Sequence, residues 1–212
     1  MVTPTRTQQS RQPVSRCELA TFSAVEQTLS RAFAGDPMTS YLFPVDTDRP
    51  KRLRFVFRVE LHYAFRHGLV ETIGAGGAAA IWLPPGRTKG AFTAMIRSGA
   101  LLAPFRLGLK AAWRVILLLR SIQELHSSLV SGDHWYLLGL GVHPQHQGQG
   151  CGSELVRHGL ARALSMRLSC YLETTNQRNI AFYQRNGFRL VGERTIARHG
   201  PTIWGMLCPS AA

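Results

Sequence analysis

The stretch HWYLLGLGVHPQHQGQGCGSELV, residues 134–156, decides the fold. Trp135 to Val142 is a nearly continuous apolar run, which predicts a central strand. Pro144 follows it, and a helix is predicted from Gly150 to about Met166. Between them lies Gln147-Gly148-Gln149-Gly150-Cys151-Gly152. Three glycines at alternate positions remove three side chains, so several backbone N–H groups are free to point at one anion. The helix start adds partial positive charge. A pyrophosphate suits such a concavity; a plain turn with a glycine cap is the alternative. A Walker loop is excluded because no lysine is present. A dinucleotide fingerprint is excluded because Ser153 stands where its third glycine would be.

Outward from this stretch, strands and helices alternate. A short strand is expected at 17–20 and a helix from Thr21 or Ser23 to about Ala34, stopped by Gly35-Asp36-Pro37. A second helix spans about Asp48 to His67, with Leu53, Val56, Phe57, Leu61, Ala64 and Phe65 at helical spacing. Leu69–Ile73 and Ala78–Leu83 form a hairpin around Gly74-Ala75-Gly76-Gly77. Residues 88–130 read as two or three helices, broken near Gly99, Pro104 and Gly108. Strands at 170–173, 188–193 and 202–207 and a short helix at 179–185 complete a single α/β (α+β) domain, residues 17–208. Residues 1–16 are polar and read as a disordered tail without a secretory signal.

The chain has 212 residues, 45% of them hydrophobic, enough for one full core. Its formal net charge is +13, which favours an anionic partner. Lys51, Lys89 and Lys110 are the only lysines, so the basicity is nearly all arginine. With abundant Ala and Gly this fits a GC-rich bacterial coding bias. Cys17, Cys151, Cys170 and Cys208 make no C-x-x-C pair and suit neither zinc nor a disulfide framework. A reduced, cytoplasmic protein without a metal is expected. In the apolar run 100–119, Arg106, Lys110 and Arg114 recur every four residues. They form one helical stripe and argue against a membrane span.

Gln147, Gly150 and Gly152 give Gln-x-x-Gly-x-Gly, and with it the chain resembles the GNAT superfamily of N-acetyltransferases. CYLETTNQRNIAFYQRNGF, residues 170–188, resembles that family's fifth strand and the coenzyme-contacting segment after it. AAAIWLPPG at 78–86, LET at 172–174, and Gly200-Pro201 before Trp204 and Met206 resemble the puromycin N-acetyltransferase-like subgroup. The resemblance implies a mixed, mostly antiparallel sheet whose fourth and fifth strands splay apart. It also implies acetyl-CoA as acetyl donor. Pantetheine would pair with the strand backbone near Leu140, Gly141 and Val142, with Gly141 leaving room for it. The phosphates would rest on Gln147 through Gly152, that is Gln147, Gly148, Gln149, Gly150, Cys151 and Gly152, together with Ser153. Asn179 matches the asparagine that holds the pantetheine arm. Tyr183, four residues on and on the same helix face, matches the tyrosine that protonates the leaving thiolate. The alternative for Tyr183 is a half-buried aromatic at a helix end.

Glu173, on the fifth strand, is the expected general base; an arginine-paired carboxylate is the alternative. His134 and His143 are further options for that role, or hydrogen-bonded strand-end histidines. The resemblance implies direct transfer without an acyl-enzyme. An acceptor pocket is expected from about 33–45 and 88–130, with Phe33, Tyr41, Phe43, Trp82 and Trp113 as lining or as plain core. The expected partner is a small-molecule amine, antibiotic-like or metabolite, acted on by a monomer or homodimer. A protein or peptide N-acetyltransferase would need an open groove instead. A nucleic-acid-binding protein would cluster its arginines on one face, whereas here they are scattered. A non-catalytic acyl-CoA-binding module would lack the tyrosine.

Overall fold

A computed structural model describes residues 12–44, 47–87, 103–196 and 200–210. Seven strands form one sheet: β1 Val14–Arg16, β2 Leu69–Ile73, β3 Ala78–Leu83, β4 His134–Val142, β5 Ser169–Thr174, β6 Arg189–Thr195 and β7 Thr202–Cys208, in the order β1-β2-β3-β4-β5-β7-β6. Only β4 and β5 run parallel; every other pair is antiparallel.

Side chains alternate across β3 as the two-residue strand period demands. Ala79 and Ile81 join one core cluster; Ala78, Ala80 and Trp82 join the other. β4 keeps that alternation only as far as its bulge. Ile81 opposes Gly139 while Trp82 opposes Leu137, so Leu138 is an extra residue. Beyond it, Gly139 and Gly141 lie beneath the Leu138 face, and Leu140 and Val142 pack on the other. The β4–β5 pairing ends at Leu137↔Leu172. Leu138 to Val142 therefore pair with β3 alone, and the two parallel strands splay.

Helices cover both faces. α1 Phe22–Ala32, α2 Pro37–Leu42, α3 Arg49–His67, α4 Ala103–Leu107 and α5 Leu109–Leu129 lie on one side. α6 Cys151–Ser165 and α7 Arg178–Arg185 lie on the other. Three expectations change. The first strand is residues 14–16, not 17–20, and shortens the expected tail; Leu19–Thr21 is a 3-10 turn. An edge strand needs backbone partners more than an apolar pattern, and Val14 to Arg16 pairs with Ile73 to Glu71. α2 was not expected, because Gly35-Asp36-Pro37 reads as a stop. It is equally a start: Asp36 accepts from the Met38 N–H at 3.0 Å, and Pro37 occupies the first turn. Gly108 divides the 103–119 part of the apolar run as expected, but Pro104 lies inside α4, and Arg106 and Lys110 stand on different helices rather than on one stripe. The remainder of that stretch, 88–102, and residues 1–11 lie outside the described residues. Among the described residues no helix is long and apolar enough to cross a membrane.

Candidate active site

The splay between β4 and β5 opens onto a cavity of about 260 Å³ on the α1–α5 side of the sheet. Leu137 to Leu140 of β4 form one wall and Glu173 to Thr175, with Asn179 and Tyr183, another. Phe33, Asp36 and Met38 come from the α1–α2 corner. Val56 and Glu60 of α3 and Ile116 and Leu119 of α5 line it as well.

Glu173 is the chemically distinctive group. Its side chain is only 4% exposed, and neither carboxyl oxygen has a hydrogen-bond partner of good geometry among the described residues. Burial pushes the carboxyl up to about 8, against a smaller opposite effect from the nearby Tyr136 and Tyr171 phenols. Among the described residues no arginine offsets it.

A pair of histidines stands behind Glu173. The His134 Nδ1 lies 2.9 Å from the Gly132 carbonyl, an acceptor only, so Nδ1 carries the proton and Nε2 is bare. His126 Nε2 lies 2.7 Å from that bare nitrogen and must donate. The His126 Nδ1 is then bare too, 3.6 Å from Glu173 Oε1. Burial, with His134 adding to it, pushes His126 down to about 4. Near neutral pH the contact is thus a neutral imidazole facing a carboxyl that favours its protonated form, not a salt bridge. The rings of His126, Tyr136 and Tyr171 pack together, with centroids 4.9 and 4.5 Å from that of His126.

Tyr183 is buried, and burial together with the nearby Asp36 charge raises its phenol well above the usual range. It stays protonated near neutral pH and is therefore able to donate a hydrogen bond. Complete proton transfer to a thiolate of pKa ~8.5 is uphill from there. The direction opposes the modest tuning that an efficient general acid calls for, and favours hydrogen-bonding of developing negative charge on sulfur. Asn179 donates from Nδ2 to Thr174 Oγ1 at 3.3 Å. Asp36, besides capping α2, accepts from Thr175 Oγ1 at 2.8 Å, which ties the α1–α2 corner to the end of β5.

At the glycine loop, Gly148 and Gly150 adopt φ of +76° and +85°, the left-handed region that favours glycine. Gly150 caps α6, and nothing lies within 4 Å of a Cβ built on Gly148. The cradle is open. Two details correct the sequence reading. Gly152 is buried, and a Cβ there would meet the Phe182 ring at 3.3 Å, so this glycine serves packing. Gly141 makes room for α1, since its Cβ would stand 2.8 Å from Leu29. Gln147 and Gln149 fold back to donate to the carbonyls of Val142 and Gln145, each at 3.1 Å. Ser153 accepts from Asn186 Nδ2 at 3.3 Å, and Cys151 is half-buried at the start of α6. Arg31, not singled out from the sequence, lies beside the loop with Nη1 donating to His143 Nε2 at 2.8 Å.

Of the expected acceptor residues, the cavity brings in Phe33 alone. Trp82 is 0% exposed and belongs to the opposite core, where a Cβ on Gly159 would overlap its ring. Its place in β3 sends it to the α6 side. Trp113 is 61% exposed, one position from the cavity-facing Ala112. Tyr41 lies under the Arg114 guanidinium at 5.6 Å, and Phe43 is core with Arg52 over its ring at 5.8 Å. The sequence reading missed Glu60, His126, Tyr136, Tyr171 and Asp36. Only Glu60 left a local signal: an acid among the apolar positions of α3. Among the described residues no group of three or more His, Cys, Asp or Glu could hold a metal.

The acetyltransferase (GNAT) family model matches residues 114–188. An uncharacterised N-acetyltransferase of Schizosaccharomyces pombe is 25% identical over 179 residues, 82% of this chain and 72% of that protein. Among solved structures, the histone acetyltransferase HPA2 and related acetyltransferase of Corynebacterium glutamicum aligns with a TM-score of 0.65 at 23% identity, covering 95% of this chain and 98% of that one. Arylalkylamine N-acetyltransferase 2 of Aedes aegypti aligns with a TM-score of 0.61 at 12% identity, covering 92% and 96%. The chain has the GNAT fold, and the family match and the relative support an N-acetyltransferase of GNAT type.

Proposed function

We propose that this GNAT-type N-acetyltransferase moves the acetyl group of acetyl-CoA directly to a primary amine of a small molecule. One observation carries the reading. The β4 segment left without a β5 neighbour opens on the same cavity that holds Glu173, Asn179 and Tyr183.

The residues fit the donor. The open cradle at Gly148 and Gly150 suits a pyrophosphate, Arg31 adds a cation beside it, and the unpaired edge of Leu138 to Val142 suits an amide-bearing arm. When bound, acetyl-CoA supplies an activated carbonyl and a thiolate leaving group. Glu173, once ionised, accepts the proton the amine must lose before it can attack. A cation entering the cavity draws the Glu173 carboxyl toward ionisation, because it replaces the water that burial removed. His126, held with a bare Nδ1 by His134, takes up the proton's hydrogen bond and keeps the carboxyl aimed. Tyr183 donates toward the sulfur, and Asn179 orients the arm. A concave, largely apolar cavity of about 260 Å³ lined by α3 and α5 favours a small molecule over a peptide lying in an open groove.

The test pairs binding with turnover. Calorimetry is expected to give acetyl-CoA binding to the native chain and none to Gly150→Glu, which puts a side chain and a negative charge into the cradle. A thiol-release screen against varied amines, puromycin included because of the segments at 78–86 and 172–174, is expected to show turnover. Wild-type affinity in Gly150→Glu would remove the loop from its role. Turnover only with peptides would overturn the small-molecule reading.

A further inference from the structure

Helix α3 carries Arg49, Lys51, Arg52, Arg54, Arg58 and Arg66, and a single acid, Glu60. Five of the six basic residues have partners elsewhere. Arg54 and Arg58 bind Glu26 of α1 at 2.7 and 2.9 Å. Arg49 and Arg52 donate to the carbonyls of Phe43 and Leu107, each at 2.6 Å. Lys51 meets Asp48 at 3.3 Å. Glu60 instead lines the cavity beside Val56, Val59 and Leu119. Among the described residues its carboxyl makes no hydrogen bond or ion pair; its one electrostatic neighbour is the Tyr136 phenol, which also neighbours Glu173. An acid held in an apolar wall without a partner costs stability.

We infer that Glu60 is the anchor for a second cationic group on the acceptor, so that the substrate class is a diamine, or an amine carrying another fixed cation, with an apolar body between the charges. The inference rests on the proposed acetyl transfer and deepens it. The two carboxyls then divide the work. The reacting nitrogen must be neutral, and it loses its proton to Glu173. The distal nitrogen stays charged and pairs with Glu60. Burial pushes the Glu60 carboxyl up to about 8; an arriving ammonium favours its ionised form, so the pair forms on binding. The apolar residues that line the same cavity, Phe33, Val56 and Ile116 among them, suit the body of the molecule.

The experiment compares diamines with monoamines of equal length, using native chain and Glu60→Gln. In thiol-release kinetics the native ratio of kcat/KM, diamine over monoamine, is expected to exceed tenfold. It should fall by about tenfold or more in Glu60→Gln, as expected for a lost hydrogen bond to a charged group, with the change in KM rather than kcat. Calorimetry of the same diamines without acetyl-CoA should show the same loss of affinity. Binding that depends on Glu60 while no amine releases thiol would leave this inference standing and sink the proposed reaction. A native ratio near one, an unchanged ratio in Glu60→Gln, or an equal fall for both amine classes overturns the inference. Circular dichroism and the melting temperature of Glu60→Gln confirm that the comparison is made on folded protein. A more stable variant is the expected result, since an unpaired acid is removed.

Discussion

Glu71 and Glu173 are each 4% exposed at the side chain, on opposite faces of one sheet, and they keep opposite company. Glu71 of β2 faces α6, where His158 Nδ1 lies 2.8 Å away and the Arg162 guanidinium binds the same oxygen. Arg162 also covers the Trp135 ring at 5.2 Å. Glu173 faces the cavity, with two phenols and a neutral imidazole around it. Burial alone therefore does not distinguish a structural carboxylate from a reactive one; the partner does. In a chain with 25 Lys plus Arg against 12 Asp plus Glu, arginine is the easiest partner to supply. A carboxyl kept clear of it stays high in pKa and available for proton transfer.

Exchanging these acids for amides breaks the symmetry of their burial. Glu173→Gln is expected to reduce kcat/KM about 10²–10⁴-fold while the melting temperature holds or rises, read by thiol release and calorimetry. Equal turnover in the variant would end the role of Glu173 as base. Glu71→Gln is expected to do the reverse. It strands the Arg162 charge and costs about 3–5 kcal/mol of folding stability, measured by urea unfolding, with turnover per folded molecule retained.

A pH series sharpens the comparison further. The folded-state values of Glu173 and Glu60 are raised to about 8 from an ordinary 4.5. The native state therefore holds protons that the unfolded chain releases between these limits. Their contribution to stability is full below about pH 4.5 and is lost as pH rises toward 8. The double variant Glu60→Gln/Glu173→Gln should flatten that decline; an unchanged slope would place it elsewhere. Turnover of the native chain should rise through the same window as Glu173 ionises. The smallest effect belongs to Trp113→Ala, expected within about 0.5 kcal/mol in stability and with KM unchanged, because that ring stands outside the cavity.

The sequence was most legible where chemistry is local. Trp135–Val142 followed by the glycine loop predicts β4, the turn and α6, and their bounds agree within a residue or two. The 69–83 hairpin and α3 emerge equally from period and turn residues. Asn179 and Tyr183 were legible because residues 170–188 resemble the coenzyme-contacting segment of GNAT proteins, with four residues placing the two on one helix face, and both line the cavity. The Glu173 environment was not legible. Tyr136, Tyr171, His126 and Glu60 come from β4, β5, α5 and α3, and no spacing along the chain relates them. Trp82 illustrates the same limit from the other side. Its strand was read correctly, but which face of β3 looks toward the cavity depends on how the helices divide between the faces. Asp36 shows a residue read as punctuation that also acts across space, through Thr175.

The bulge at Leu138 makes β4 a segment whose parity matters more than its length. Deleting one residue between Leu138 and Val142 can be absorbed by loss of the bulge, whereas inserting one would bring the large side chains of the strand end beneath α1. There Leu29 and Ala32 already stand 2.8 and 3.2 Å from where a Cβ on Gly141 would be. An insertion or deletion of two would keep the orientation of the remaining strand residues. Among relatives of this chain, a single deletion in this part of the strand should therefore come with an unbulged β4, and a single insertion with rearrangement of α1.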